Sequence, residues 1–231
     1  MSVKKSDLRD VAYEKILHKI LHYELSPGEV VSVLNLAQVL NMSRTPVREA
    51  VVKLIEDGLI VVENGKNLIK SISLNDINEI YQLREAIETM CVKIIIKNNG
   101  GLTDKQKKHL ENIQSKFKMS IENEDFEMNF ELDKLFHESL IDYAGNERMS
   151  EISKKMQIQS QRFRWLTKIT PKHYEITLKD HQDILDSIYA LDLVKGKDSV
   201  IKHMENSLDG YKNILENNEW KKTFYTMSQL F

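Results

Sequence analysis

The sequence predicts a mostly α-helical protein. An N-terminal winged helix-turn-helix, of three helices plus a β-hairpin wing, precedes an all-α bundle of six or seven helices. Three observations predict it. Only three prolines and eight glycines punctuate 231 residues, which favours long uninterrupted helices. Apolar residues recur at helical spacing through most of the chain. One segment, from Leu59 to Ile72, instead shows two β-branched runs around Asn64-Gly65, a strong short-range hairpin signal.

Length and composition narrow the rest. At about 150 residues per domain the chain has room for one large domain or two modest ones. Hydrophobic residues at 41% and charged residues at 29% are an ordinary globular balance. The net charge of −2 does not announce a nucleic-acid binder. The single cysteine excludes an internal disulfide framework or a cysteine zinc site and suits a reducing cytoplasm. No apolar signal core opens the chain, and the longest apolar run, around Ile94-Ile95-Ile96, is far too short for a membrane span. A cytoplasmic protein without a membrane partner is expected.

The elements follow in order. From Leu8 to about Glu24 the pairs Ile16/Ile20 and Leu17/Leu21 mark an amphipathic helix. Ser26-Pro27-Gly28 breaks it. Ser32 caps a second, short helix whose face carries Leu36, Ala37 and Leu40, and Asn41-Met42 makes a tight turn. Ser43 then sits at an N-cap, Pro46 in the first turn lacks an N–H that the turn does not need, and Val47, Ala50, Val51 and Leu54 form a buried stripe. Asp57-Gly58 ends this third helix before the hairpin.

That stripe leaves Arg44, Thr45 and Arg48 on the opposite side, near the helix N-terminus. Residues there are the ones a recognition helix presents to base edges. Arginine bonds guanine bidentately, and threonine reaches a phosphate or a thymine methyl. Ser43 stands at the helix start, where a phosphate is attracted. Asn64, Gly65 and Lys66 at the hairpin tip are placed to reach the minor groove or backbone. Two arginines alone are as often ordinary surface residues; the surrounding layout is what favours DNA.

Here a resemblance becomes specific. Ser43-Arg44-Thr45-Pro46-Val47-Arg48-Glu49-Ala50, then Leu54 and Glu56-Asp57-Gly58-Leu59-Ile60, resembles the recognition-helix signature of the GntR superfamily of transcription regulators. The segment departs from that pattern in its second helix, Ser32-Val33-Leu34-Asn35, and in its wing, where Asn64-Gly65-Lys66 replaces the usual Arg-Gly.

We place the domain boundary at residue 74, with 1–74 the DNA-binding domain and 75–231 the helical domain. The first part carries ten basic and nine acidic residues, the second 23 and 26. Helices are predicted from Ser73 to about Lys97, from Thr103 to about Glu122 and from about Glu124 to Tyr143. Three more are predicted from Asn146 to about Lys168, from about Tyr174 to Asp192 and from about Lys197 to Glu216.

Asp133 and His137 stand one turn apart on one helix face. His181 and His203 lie on two later helices, each flanked by apolar residues, so three helices of a bundle can bring the four together. One carboxylate and three imidazoles suit Zn, Ni, Mn or Fe. Spacing alone favours separate histidines, because such pairs are common on helices.

A second resemblance bears on that choice. Tyr81-Gln82-Leu83-Arg84-Glu85-Ala86-Ile87-Glu88, Asp125-Phe126, Leu132 to Leu140, Ala144-Gly145-Asn146, Asp180 to Leu185 and His203-Met204 look like the FCD ligand-binding domain of the FadR-type GntR branch. The resemblance implies a divalent transition metal on Asp133, His137, His181 and His203, and an effector held by Arg84. It also implies a homodimer on a double-stranded, palindromic DNA operator and a repressor more often than an activator. No catalytic residue is assigned.

Two other readings remain. One is a metalloenzyme acting on a small organic acid, with Glu138 or Asp180 as base. The other is a regulator with a metal-free, apolar effector pocket. The effector expected here is a small carboxylate, since arginine binds one with its planar fork. Arg162 and Arg164 are weaker candidates for that clamp, and Asn206, one turn beyond His203, for a hydrogen bond to the effector. His173 is read as a surface loop residue and Cys91 as buried and inert. The apolar tail from Trp220 to Phe231 is expected to pack on the bundle or on a partner subunit.

Overall fold

A computed structural model describes residues 5–163, Leu166 and 172–216. The chain forms two compact units that divide between Ser73 and Leu74.

In the first unit α1 (Lys5–Leu21) packs on α3 (Arg44–Glu56), with α2 (Val33–Val39) between them in sequence. The buried face of α1 is Ala12, Tyr13, Ile16 and Ile20. It ends three residues sooner than its apolar pattern suggests, and Tyr23 then adopts the left-handed region at φ 58°. The Tyr13 hydroxyl donates to Asp57 Oδ2 at 2.7 Å, fastening α1 to the end of α3. Ser32 caps α2 by accepting from the Asn35 backbone N–H, a contact of about 1 kcal/mol. The predicted stripe of α3 is buried throughout, as is Pro46.

Strands β2 (Ile60–Glu63) and β3 (Lys66–Ile69) make the hairpin. Asn64 and Gly65 both take positive φ, 49° and 73°, as a two-residue turn matching the strand twist requires. Beyond Ile69 the predicted second strand does not continue. A two-residue strand β1 (Val30–Val31) pairs with the outer side of β3, Val30 opposite Leu68 and Val31 opposite Asn67, giving the order β1-β3-β2. So short a strand has no periodicity to read; pairing alone defines it.

The second unit holds six α-helices and a 3-10 turn among the described residues. These are α4 (Leu74–Lys97), α5 (Asp104–Glu122), α6 (Phe126–Ala144) and α7 (Glu147–Ser160), then the turn Gln161–Phe163, α8 (Lys172–Tyr189) and α9 (Leu193–Glu216). Local chemistry sets most boundaries. Thr103 and Gln106 form a reciprocal capping box at the start of α5. Asp125 and Asn146 cap α6 and α7, and Gly145 ends α6 in the left-handed region.

Two boundaries differ from expectation. α7 ends at Ser160 and tightens into the 3-10 turn Gln161–Phe163, and the rest of the predicted helix to Lys168 lies, apart from Leu166, outside the described residues. α9 begins at Leu193, because Asp192 accepts from the Lys195 backbone N–H and starts the helix four residues early. Gly196 therefore lies inside α9, not in a loop. α9 packs along both α4 and α8, α6 lies against α4 and α5, and α8 also meets α5. Phe117, Phe136, Ile95, Leu110 and Ile184 fill the centre, all under 2% exposed. None of the described helices is long and apolar enough to cross a membrane. The tail from Trp220 onward and Arg164 lie outside the described residues.

Candidate functional site

In the first unit Ser43, Arg44, Thr45 and Arg48 are all exposed at the start of α3, while Val47, Ala50, Val51 and Leu54 are its buried side. Ser43 stands at the N-cap position without spending its hydroxyl on a cap bond. Asn64, Gly65 and Lys66 are exposed at the hairpin tip. Among the described residues no ion pair engages Arg44, Arg48 or Lys66.

In the second unit α6, α8 and α9 meet. Asp133 and His137 come from α6, His181 from α8 and His203 from α9, and one ligand atom of each lies within 4.8 Å of all the others. The Nε2 of His137 is 3.3 Å from Nε2 of both His181 and His203. Asp133 Oδ1 stands 3.6 Å from His137 Nε2 and 3.4 Å from His181 Nε2. All three imidazoles are buried, with His181 at 0% exposure, and Asp133 is part-exposed on the cavity side. Phe136 lies flat on His181, ring centroids 3.8 Å apart and 10° from parallel.

The donor set fits a divalent transition ion. Nitrogen and oxygen ligands bonded at about 2.1 Å in tetrahedral angles stand about 3.4 Å from one another; the His137 pairs and the Asp133–His181 pair come within 3.3 to 3.6 Å, and all four atoms lie within 4.8 Å. Burial, followed by the positive influence of His203 and His137, pushes His181 well below the ordinary histidine range. Burial pushes His203 down too. Both rings are thus neutral at neutral pH, the form in which imidazole binds a metal. Burial resists ionising Asp133, but a hydrogen bond and the charge of His137 outweigh it and hold the carboxyl far below its usual range.

Two carboxylates stand behind the cluster, neither of which the sequence placed there. Glu88 on α4 is 2% exposed and places Oε2 2.6 Å from His137 Nδ1. Burial opposes a charge on His137, but Glu88 outweighs it and raises the ring above its ordinary value; the carboxylate accepts from Nδ1–H, so a metal would take the place of the Nε2 proton, the usual arrangement behind a metal-binding histidine. Burial opposes the charge of Glu88, but His137 and Arg84 prevail and hold it down at about 2. A signal was present: Glu88 stands on the same face of α4 as Ile77, Tyr81, Val92 and Ile95, a carboxylate where a core residue belongs. Asp180, considered earlier only as a base, is 2% exposed with Oδ2 3.6 Å from His203 Nδ1.

A cavity of about 230 Å³ opens beside the cluster and is bounded by Asp133, His137 and His203 together with Arg84, Glu88, Lys134 and residues of α7. Arg84 is one of its walls and bonds Glu88 through Nε at 3.1 Å. The Asn206 amide donates to Asp180 Oδ2 at 2.8 Å, and Asn206 is not among the residues that line this cavity. His173 is not on a surface loop. α8 begins at Lys172, and the His173 ring faces the cavity against Tyr174 and Tyr211. Arg162 is buried in the 3-10 turn and bonds Asp76 at 2.6 Å, which removes it as an exposed clamp. Cys91 is fully buried, and burial pushes its thiol up to about 12, so it is inert as a nucleophile.

The fold and the two clusters describe a helix-turn-helix module and a helical bundle with a candidate metal site. The FCD domain profile matches residues 79–206, and that of bacterial regulatory proteins of the gntR family matches residues 8–68. The chain belongs to the gntR family and carries an FCD domain. It is 26% identical over 207 residues to the uncharacterized HTH-type transcriptional regulator YdhC of Bacillus subtilis, covering 88% of this chain and 91% of that one. It is 25% identical over 210 residues to the HTH-type transcriptional repressor RspR of Escherichia coli, covering 90% and 91%. The solved structure of E. coli McbR/YncC shares the fold at a TM-score of 0.72 and 20% identity, covering 92% of this chain and 99% of that one. These relatives are transcriptional regulators, not enzymes, which sets aside the metalloenzyme reading.

Proposed function

We propose that the chain is a homodimeric, operator-binding repressor whose DNA affinity is set by a small carboxylate bound beside a metal ion. Residues 1–74 read DNA, and residues 75–231 bind metal and effector. Asp133, His137, His181 and His203 hold the metal, a Lewis acid that gives an anionic effector a coordination point. Arg84 supplies the second contact, a guanidinium on the cavity wall. Ser43, Arg44, Thr45 and Arg48 enter the major groove, and Asn64, Gly65 and Lys66 touch the backbone or minor groove. Two-fold symmetry of the dimer calls for a palindromic operator.

The convergence of three Nε2 atoms and one carboxylate oxygen within 4.8 Å, with His137 3.3 to 3.6 Å from each of the others, carries this reading. The charged walls of the cavity, Arg84, Glu88 and Lys134 among them, suit a polar anion better than an apolar effector.

The test joins metal analysis to a gel shift on the DNA upstream of the chain's own gene. The purified wild type is expected to hold stoichiometric metal and His181→Ala to lose it. Arg48→Ala is expected to bind that DNA with about 1–3 kcal/mol less affinity. No metal in either protein defeats the metal centre, and undiminished binding by Arg48→Ala defeats the recognition-helix assignment.

A further inference from the structure

We propose that Glu88 couples the cavity's guanidinium to the metal centre, so that an anion on Arg84 and a metal on His137 strengthen one another. The coupling rests on the metal reading above. The two oxygens of Glu88 face two ways: Oε1 takes Arg84 Nε at 3.1 Å and Oε2 takes His137 Nδ1 at 2.6 Å. Arg84 and Glu88 are one turn apart on α4, and the carboxylate between the two partners is 2% exposed. Water therefore does little to screen it. Among the described residues the Nη groups of Arg84 make no hydrogen bond, and Arg84 bounds the cavity.

The chemistry follows from sharing one negative charge. An anion bonded to Arg84 draws the guanidinium charge away from Glu88. Glu88 then accepts more strongly from His137 Nδ1–H, which makes Nε2 a better donor to a metal. Linkage makes the effect reciprocal: a metal on Nε2 polarises Nδ1–H, takes up more of the carboxylate charge and frees Arg84 for its anion. The other two histidines lack this connection. His203 has Asp180 behind it at 3.6 Å, but the second partner of Asp180 is the neutral Asn206, away from the cavity. His181 Nδ1 is buried with no hydrogen-bond partner among the described residues. Glu88 is thus a positioning residue for His137 with a contact in the effector cavity.

The test uses the full chain and Co²⁺ as the probe metal, in buffer free of carboxylates. Its dissociation constant is measured against a chromophoric chelator for wild type, Glu88→Gln, Arg84→Gln and the double variant. Glu88→Gln is expected to weaken Co²⁺ binding about 10- to 100-fold. Arg84→Gln, which leaves the charge of Glu88 wholly to His137, is expected to tighten binding several-fold when Glu88 is present. In the Glu88→Gln background that gain shrinks to less than about half. An equal factor in both backgrounds overturns the coupling, as does a Glu88→Gln that binds like wild type.

A second readout needs only Glu88 intact. The His137 Nδ1–H proton resonance of the metal-free protein is expected to move downfield in Arg84→Gln, and an unmoved resonance also overturns the coupling. A wild type that takes up no Co²⁺ overturns the metal reading and the coupling together. Uptake with additive variants overturns the coupling alone.

Discussion

The ring of His173 resists protonation well into acid. Burial between Tyr174 and Tyr211 pushes it down to about 4, and a Cβ at Gly210 would stand 3.2 Å from its Nδ1. The consequence for stability has a definite sign. Above its ordinary value of 6.5 the ring is neutral in folded and unfolded chains alike. As pH falls from there toward 4, the unfolded chain takes a proton that the folded ring refuses, so folding loses stability across that window. His173→Gln removes this share. Urea unfolding of the metal-free chain at pH 7 and pH 5 is expected to show a loss about 1 kcal/mol smaller in the variant than in wild type, the full shift being discounted for water in the cavity. An equal loss in both proteins rejects the assignment. The same ring shows why a site reading from sequence stays partial. Pro171 and Lys172 precede His173 and suggest a loop, and nothing local reveals that a later helix brings Tyr211 back against it.

Where α9 packs on α4, Gly196 leaves no room for a side chain. A Cβ on Gly196 would stand 2.8 Å from Val92 Cγ1, 3.5 Å from Ile96 Cδ1 and 3.6 Å from Ser187 Cβ. Val92 is fully buried and, being β-branched, has little rotamer freedom in a helix. Gly196→Ala gains about 1 kcal/mol of helix propensity and meets an overpacking cost of about 1–3 kcal/mol. A net loss of about 1 kcal/mol is expected, and Val92→Ala in the same chain should make the added methyl tolerable. Equal effects of Gly196→Ala with and without Val92 would show that the contact does not set the cost.

The elements that could be read in advance are those with local causes. The Thr103–Gln106 box, the Asp125 and Asn146 caps, the Asn64-Gly65 turn and the stripe of α3 are each contained within a few residues. β1, Glu88 and the early start of α9 each depend on a partner distant in sequence or on one capping side chain that competes with a glycine. Asp133, His137, His181 and His203 were legible as a set because residue type, helix face and a family resemblance pointed the same way. Glu88 was hidden because a carboxylate among apolar neighbours gains a purpose only when His137 arrives from another helix.

For the molecule as a whole, the net charge of −2 conceals the basic side chains set at the start of α3 and the hairpin tip. Metal removal is expected to act on the whole second unit, because α6, α8 and α9 each supply a ligand atom. An ion that binds only the folded chain stabilises it by about 4 kcal/mol at a thousandfold excess over its dissociation constant. Calorimetry with and without a chelator is expected to show a lower Tm for the stripped wild type and no such difference for His181→Ala; coincident wild-type traces would contradict this. The three inward-facing Nε2 atoms then carry a physiological consequence. On the proposed reading α6, α8 and α9 share one ion, so scarcity of that ion would loosen the same unit to which the organic anion is proposed to bind.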